Sequence, residues 1–141
     1  MTLPAAKRRV SCDEGQSLVE FGIVAFLLVM LLLGVIEIGR MVLVYTAVAN
    51  AARAGARYAI VHGSDNLATT AQIQTVVKNF LSTAPVDTTR AGITIDVNYP
   101  ACNTPGCKVT VTATYPYDPL ISYFPWPAIN LRSTSQGVIT F

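Results

Sequence analysis

From Phe21 to Ile36 the chain reads FGIVAFLLVMLLLGVI, sixteen residues without a charge or a strong polar group. As helix they rise only about 24 Å. Extending the stretch to Leu18 and Ile38 takes in Glu20 and Glu37 near its ends, and the resulting rise of about 31 Å matches a hydrocarbon core of roughly 30 Å. The segment can therefore span a bilayer. A secretory signal peptide would have a shorter apolar stretch followed by a small-x-small cleavage site, whereas here the helical pattern runs on through Glu37-Ile38-Gly39-Arg40, so the segment is expected to be retained. The remaining alternative, the core helix of a soluble protein, would need a larger protein around it than 141 residues provide.

The rest of the composition agrees. Hydrophobic residues make up 52% and charged residues 13%, about half the usual quarter, which excludes a disordered or fibrous chain. The net charge of +2 is spread thinly, with Lys7, Arg8 and Arg9 as the one consecutive run, so no surface could neutralise many phosphates and nucleic acid is not expected as a partner. That run precedes the span and is expected to stay in the cytoplasm. Arg40, Arg53 and Arg57 follow it, but a long C-terminal portion is translocated largely regardless of charge. The expected topology is a single pass of a membrane over about residues 18–38, with a cytoplasmic N-terminus and an extracytoplasmic C-terminal domain.

Cysteine usage fits that topology. Cys102 and Cys107 enclose Asn103-Thr104-Pro105-Gly106, a turn sequence, and in an oxidising compartment the two are expected to form a disulfide. Metal ligation, the rival reading, would need two more ligands, and His62 lies in a different segment. Cys12 falls on the expected cytoplasmic side without a partner.

Beyond the span, Arg40 to about His62 contains no proline and is rich in alanine, so the helix should continue. Spacing at 100° puts Thr46, Asn50, Arg53 and Arg57 on one face and Met41, Val44, Val48, Ala51, Gly55 and Ala59 on the other. The small-residue stripe suggests close approach by another element, either the chain's own C-terminal domain or a neighbouring helix. Gly63 to Asn66 is a stop signal. Thr69 to Ser82 predicts a short amphipathic helix with Thr69 and Gln72 in capping-box spacing. After a linker the period changes from 3.6 to 2: Ile93, Ile95, Val97 and Tyr99 alternate with polar residues, as do Val109, Val111, Ala113 and Tyr115. The cysteine turn joins these runs into a hairpin. A third strand over Ile129 to Phe141 is less regular, with a bulge expected at Gly137. The fold class is thus α+β: a long N-terminal helix, transmembrane then amphipathic, one short helix, and a small antiparallel sheet of about three strands.

Residues 116–127, PYDPLISYFPWP, hold four prolines and cannot be strand or helix throughout. Their apolar side chains either pack back over the sheet, or Tyr123, Phe124 and Trp126 form a contact patch for a partner subunit or the membrane interface. Glu37 and Arg40, three apart, can pair along the helix or across to a neighbouring subunit. Arg53 and Arg57 form either a solvated face or a docking face. Nothing in the sequence assembles an active site: there is one histidine, no glycine-rich phosphate loop, no nucleophile elbow, and scattered aspartates. No enzyme activity, cofactor or metal is expected.

The most informative stretch is Gly15-Gln16-Ser17-Leu18-Val19-Glu20-Phe21, where a basic segment ends in glycine and a carboxylate follows five residues later at the start of the span. With the continuation LLLGVIEIGRMVLVYTAVANAARAGARYA and the late VTVTATYPYDPL, the chain resembles type IV pilin-like proteins, and more closely the TadE-like family of pseudopilins from the tight-adherence (Tad/Flp) pilus system. The resemblance implies a pilin-like fold and a role as a minor pilin or pseudopilin. It implies a leader at residues 1–15, cut by a prepilin peptidase between Gly15 and Gln16, then a long helix over 16–62 and an extracytoplasmic domain over 63–141. It further implies that Glu20 pairs with the N-terminal amine of a neighbouring subunit, so that the partners are the peptidase, other pilin or pseudopilin subunits, Tad assembly proteins and the bilayer. The alternative is a membrane-anchored binding or adhesion module whose anchor stays uncleaved.

Overall fold

One helix accounts for a third of the chain. The computed structural model describes residues 13–62, 69–84, 86–100, 102, 104–119 and 129–140. In these, helix α1 runs over Asp13–Val61, helix α2 over Thr70–Ser82, and strands β1 (Thr94–Asn98), β2 (Lys108–Tyr117) and β3 (Ile129–Val138) follow. The fold is α+β. The chain divides into two compact units, Met1–Ile36 and Glu37–Phe141. The first, where described, consists of α1 alone. Its apolar side chains are exposed, Leu18 and Phe21 each to 74%, as expected of a segment whose natural surroundings are apolar. This helix is long and apolar enough to cross a membrane, and its most apolar window is entirely unburied within the chain.

The second unit is built on the remainder of α1. Val44, Val48, Ala51, Ala52, Ala56 and Ala59 are buried, while Thr46, Asn50, Arg53 and Arg57 are exposed, so the helix presents the two faces its periodicity predicts. The small-residue stripe meets the chain's own domain. A Cβ added at Gly55 would lie 2.5 Å from Val77 Cγ2 in α2 and 3.3 Å from Val111 Cγ1 in β2, which is why glycine stands where α2 and the sheet close on the helix. In α2, Ile73, Val77 and Leu81 are buried on one stripe, the Thr69 N–H donates to Gln72 Oε1 at 3.0 Å, and Gln74 Nε2 donates to the Ile95 carbonyl of β1 at 3.0 Å.

The sheet is antiparallel in the order β1-β2-β3. Its register pairs Ile95 with Ala113, Val97 with Val111, and Tyr115 with Leu131 on the buried face, and Asp96 with Thr112 and Thr112 with Thr134 on the other. Strand β2 carries the core, with Val109, Val111, Ala113, Tyr115 and Tyr117 all buried. It also runs two residues further than alternation suggests, through Pro116 to Tyr117. The missing N–H of Pro116 costs little there, because β1 pairing ends at Thr114 and leaves one side of the strand open.

The expected bulge at Gly137 does not form. Gly137 pairs in plain register with Val109, and its missing side chain instead makes room for α1: a Cβ there would lie 2.2 Å from Ile60 Cδ1. Strand β3 looked irregular because its inward positions Ser133, Ser135 and Gly137 are small, and the pairing with Ala113, Val111 and Val109 puts them on the face that α1 covers. The end of β3 is tied back by Thr140 N–H to the Ile60 carbonyl at 3.3 Å.

Candidate functional site

The residues singled out by sequence fall in three places on the structure, and α1 contributes to each. Gly15, Gln16 and Glu20 lie on the first unit, all exposed, and share a helix face with Val19 and Ile23. Residues at i, i+1, i+4 and i+5 fall on one side of a helix. A carboxylate therefore sits on the same side as the Gly15–Gln16 peptide bond, at the start of a run otherwise free of charge. Within the described residues of that unit, no basic side chain stands near Glu20 in sequence.

The second place is where α1 leaves the apolar span. Tyr117, 2% exposed, donates its hydroxyl to Glu37 Oε1 at 2.5 Å. The Arg40 guanidinium lies 5.3 Å from the centre of the Tyr117 ring, with Nη1 4.0 Å from Glu37 Oε1. At 4.0 Å the Glu37–Arg40 contact is an ion pair without a hydrogen bond, and Arg40 Nη1 is buried with no hydrogen-bond partner. The stronger bond of Glu37 is thus to the sheet. Eighty residues separate the partners, and their contact clasps the end of β2 to the helix one residue before Ile38. Sequence reasoning missed Tyr117, having ended the strand before Pro116. The available signal was the inward phase of Tyr117 in the VTVTATYPY alternation.

The clasp has a pH signature. Burial, then the hydrogen bond to Glu37 and its negative charge, push the Tyr117 hydroxyl up to about 12, with Arg40 pulling partly the other way. Burial also raises Tyr99. A folded-state value above the unfolded one means the contribution is whole below pH about 10 and is lost as pH rises through about 12. Tyr117→Phe removes a bond to a charged acceptor and should lower the stability of the second unit by about 1.5–3 kcal/mol at neutral pH. Thermal unfolding followed between pH 8 and pH 12 (~4 units) should show a shallower alkaline loss in the variant, with the Tyr99 share remaining. An unchanged alkaline slope would refute the clasp.

The third place is the surface of the second unit. Arg53 and Arg57 are exposed, and Arg53 Nη1 lies 3.4 Å from Asn50 Oδ1. Cys102 and Cys107 lie at disulfide distance, Cα to Cα 5.7 Å, across the turn from β1 to β2. Lys7, Arg8, Arg9, Cys12, Tyr123, Phe124 and Trp126 lie outside the described residues. Among the described residues no group of three or more His, Cys, Asp or Glu side chains could hold a metal ion.

Apolar exposure on α1 does not stop with the span. Ile38, Val42, Leu43 and Tyr45 are exposed to between 47% and 63%. Tyr45 stands about 10 Å beyond Ile38 along the helix. Such surface in water is a liability unless something covers it.

No curated protein and no solved structure matches the chain at a significant level. A family model does match part of it: residues 15–57, within α1, are similar to the TadE-like protein family.

Proposed function

We propose that this is a minor pilin or pseudopilin of a Tad-type pilus, matured by a prepilin peptidase between Gly15 and Gln16 and acting by helix packing in the membrane and the filament. A TadE-like helix able to cross a membrane fits a pilus-associated protein. The observation that favours assembly over simple anchoring is the exposed apolar surface at Val42, Leu43 and Tyr45, which lies beyond the lipid tails when the span covers residues 18–38. A tether has no use for it. A bundle of like helices would cover it. Glu20 would pair with the amine freed at Gln16 on a neighbouring subunit, the cation offsetting the cost of a carboxylate held near hydrocarbon.

The test is the mature N-terminus. Intact-mass measurement of protein extracted from native membranes should find a chain that begins at Gln16, and Gly15→Ala should leave the leader attached. Wild-type protein that keeps Lys7 to Arg9 would reject the reading and leave a single-pass module with an uncleaved anchor.

A further inference from the structure

Strand β3 ends the sheet on one side, and the alternation of its ladder determines which backbone groups stand at that edge. The Ile139 N–H donates to the Cys107 carbonyl at 2.9 Å, in phase with the pairing of Lys108 and Val138. In an antiparallel ladder every second residue turns its backbone groups to the partner strand. Ile129, Leu131, Ser133, Ser135 and Gly137 therefore bond β2, and the N–H and C=O groups of Asn130, Arg132, Thr134, Gln136 and Val138 point out of the sheet. Pro116 agrees with this phase, since it stands opposite Asn130 and its missing N–H falls on the β1 side.

The opposite edge is blunted. Strand β1 is five residues long, and the outward carbonyl of Ile95 accepts from Gln74 Nε2. Where β2 runs past β1, Pro116 offers no donor. Short strands and prolines are how sheets avoid unwanted pairing at their edges. Strand β3 has neither: it runs ten residues in plain register without proline or bulge, and among the described residues nothing bonds its outer side. Residues 63–68 join α1 to α2 and 119–128 join β2 to β3, so each must return to a fixed end and neither can run along an edge about 27 Å long. A second copy cannot use the edge in antiparallel fashion. Tyr117 bonds Glu37 and pairs with Ile129, while Gly137 lies against Ile60, so β3 starts at the Glu37 end of the second unit and runs away from it. The apolar span joins at that same end, through Ile36. Two antiparallel β3 strands would set their Glu37 ends about 27 Å apart, and two spans so placed cannot share one bilayer. Self-pairing is left the parallel arrangement, whose ladder is weaker per residue.

We infer that the outer edge of β3 receives an extended segment of a different protein, antiparallel to β3 and so running toward the Glu37 end. Backbone bonds carry the contact, and the segment has no proline at the residues whose N–H groups face β3. Ile60, which lies over Gly137 and is only half-buried, calls for a small or apolar side chain on the α1 side of the added strand. The inference rests on the membrane span of the reading above and not on its maturation step.

A photo-reactive phenylalanine analogue placed at Asn130 or at Gln136 of the full-length protein, and irradiated in the native cells, tests it. Both probes should crosslink to one stretch of a different protein, and the residue reached from Gln136 should precede the one reached from Asn130 by about six positions, as an antiparallel strand requires. Gln136→Pro should lower the yield from the Asn130 probe about tenfold or more, because the N–H it removes faces the partner, and Gln136→Ala should leave it unchanged. Neither variant breaks the β2 ladder, so a thermal scan should find the second unit folded in both, whereas Ser135→Pro, which loses a bond to Val111, should unfold it. A Gln136→Pro protein as unstable as the Ser135→Pro protein would mean that the ladder has the other phase, and would overturn the inference. So would crosslinks in parallel order, to a second copy, to lipid or to residues 63–68 or 119–128, no crosslink at all, or a yield indifferent to Gln136→Pro. The intact mass of the same sample reports leader removal separately. A trimmed chain without the crosslink sinks the edge contact alone, whereas an untrimmed chain sinks the maturation and leaves any crosslink standing.

Discussion

Glu20→Ala should reach the membrane at wild-type level or above and yet enter pili about a hundredfold less than the wild-type protein. Insertion has nothing to lose, because Glu20 is a charge at the edge of an apolar span, and an acidic side chain costs up to about 3 kcal/mol at the centre of a helix and less toward the interface. Assembly has much to lose. If the amine freed at Gln16 packs among neighbouring helices, removal of its carboxylate leaves a cation uncompensated at low dielectric, a loss of about 3–5 kcal/mol per contact. At 1.4 kcal/mol per decade the lower figure is already about a hundredfold. Glu20→Gln should fall between, retaining an acceptor without the charge. Counting labelled subunits in sheared pili, against their amount in the membrane fraction, measures both halves at once. Normal incorporation of the alanine variant would remove Glu20 from the assembly machinery and turn it into a side chain that reaches the headgroups.

What could be read from the residues alone was whatever depends on neighbours in sequence. The long apolar helix, the amphipathic continuation of α1, α2 with its Thr69–Gln72 capping pair, and the alternating runs of β1 and β2 are all written in local runs of sequence, and all are present as helix or strand. The features that failed or went unseen depend on distance. Gly137 resembled a bulge because a glycine in an irregular strand usually marks one; that Ile60, far back in the chain, would fill the space was not locally encoded. Tyr117 passed unnoticed because Pro116 ends most strands, and it does not end this one because β1 has already stopped. The candidate site divides in the same way. Gly15, Gln16 and Glu20 form a linear motif and were legible as such. The clasp between Tyr117 and Glu37 arises when elements meet, so no spacing announces it. The small-residue stripe lies between these cases: its existence was plain, but not which of two occupants it served.

That stripe carries the largest expected change in folding. In an ordinary helix, glycine to alanine gains about 1 kcal/mol from reduced backbone entropy. At Gly55 the new methyl would stand 2.5 Å from Val77 Cγ2, 3.3 Å from Val111 Cγ1 and 3.4 Å from Ile73 Cγ2. None of the three can retreat easily, since all belong to short branched side chains with no exposed surface, held from two directions by α2 and β2. Overpacking of this kind costs about 1–3 kcal/mol. The clash should win for Gly55→Ala, with a net loss of up to about 2 kcal/mol, or about 5–15 °C in Tm for a unit of this size. Gly55→Leu should prevent the second unit from closing. Gly39→Ala is the control: it lies in the same helix with nothing within 4 Å of the added methyl, so it should hold or raise the Tm. Gly137→Ala should cost less than Gly55→Ala despite nearer contacts, because the obstructing atoms, Ile60 Cδ1 at 2.2 Å and Cγ1 at 2.8 Å, belong to one partly exposed side chain that can turn away as a unit. Thermal scans of the four full-length variants in one detergent rank these expectations directly. A Gly55→Ala protein as stable as the Gly39→Ala protein would mean that α1 does not run this close to α2 and β2, and the packing that seats the sheet on α1 would have to be redrawn.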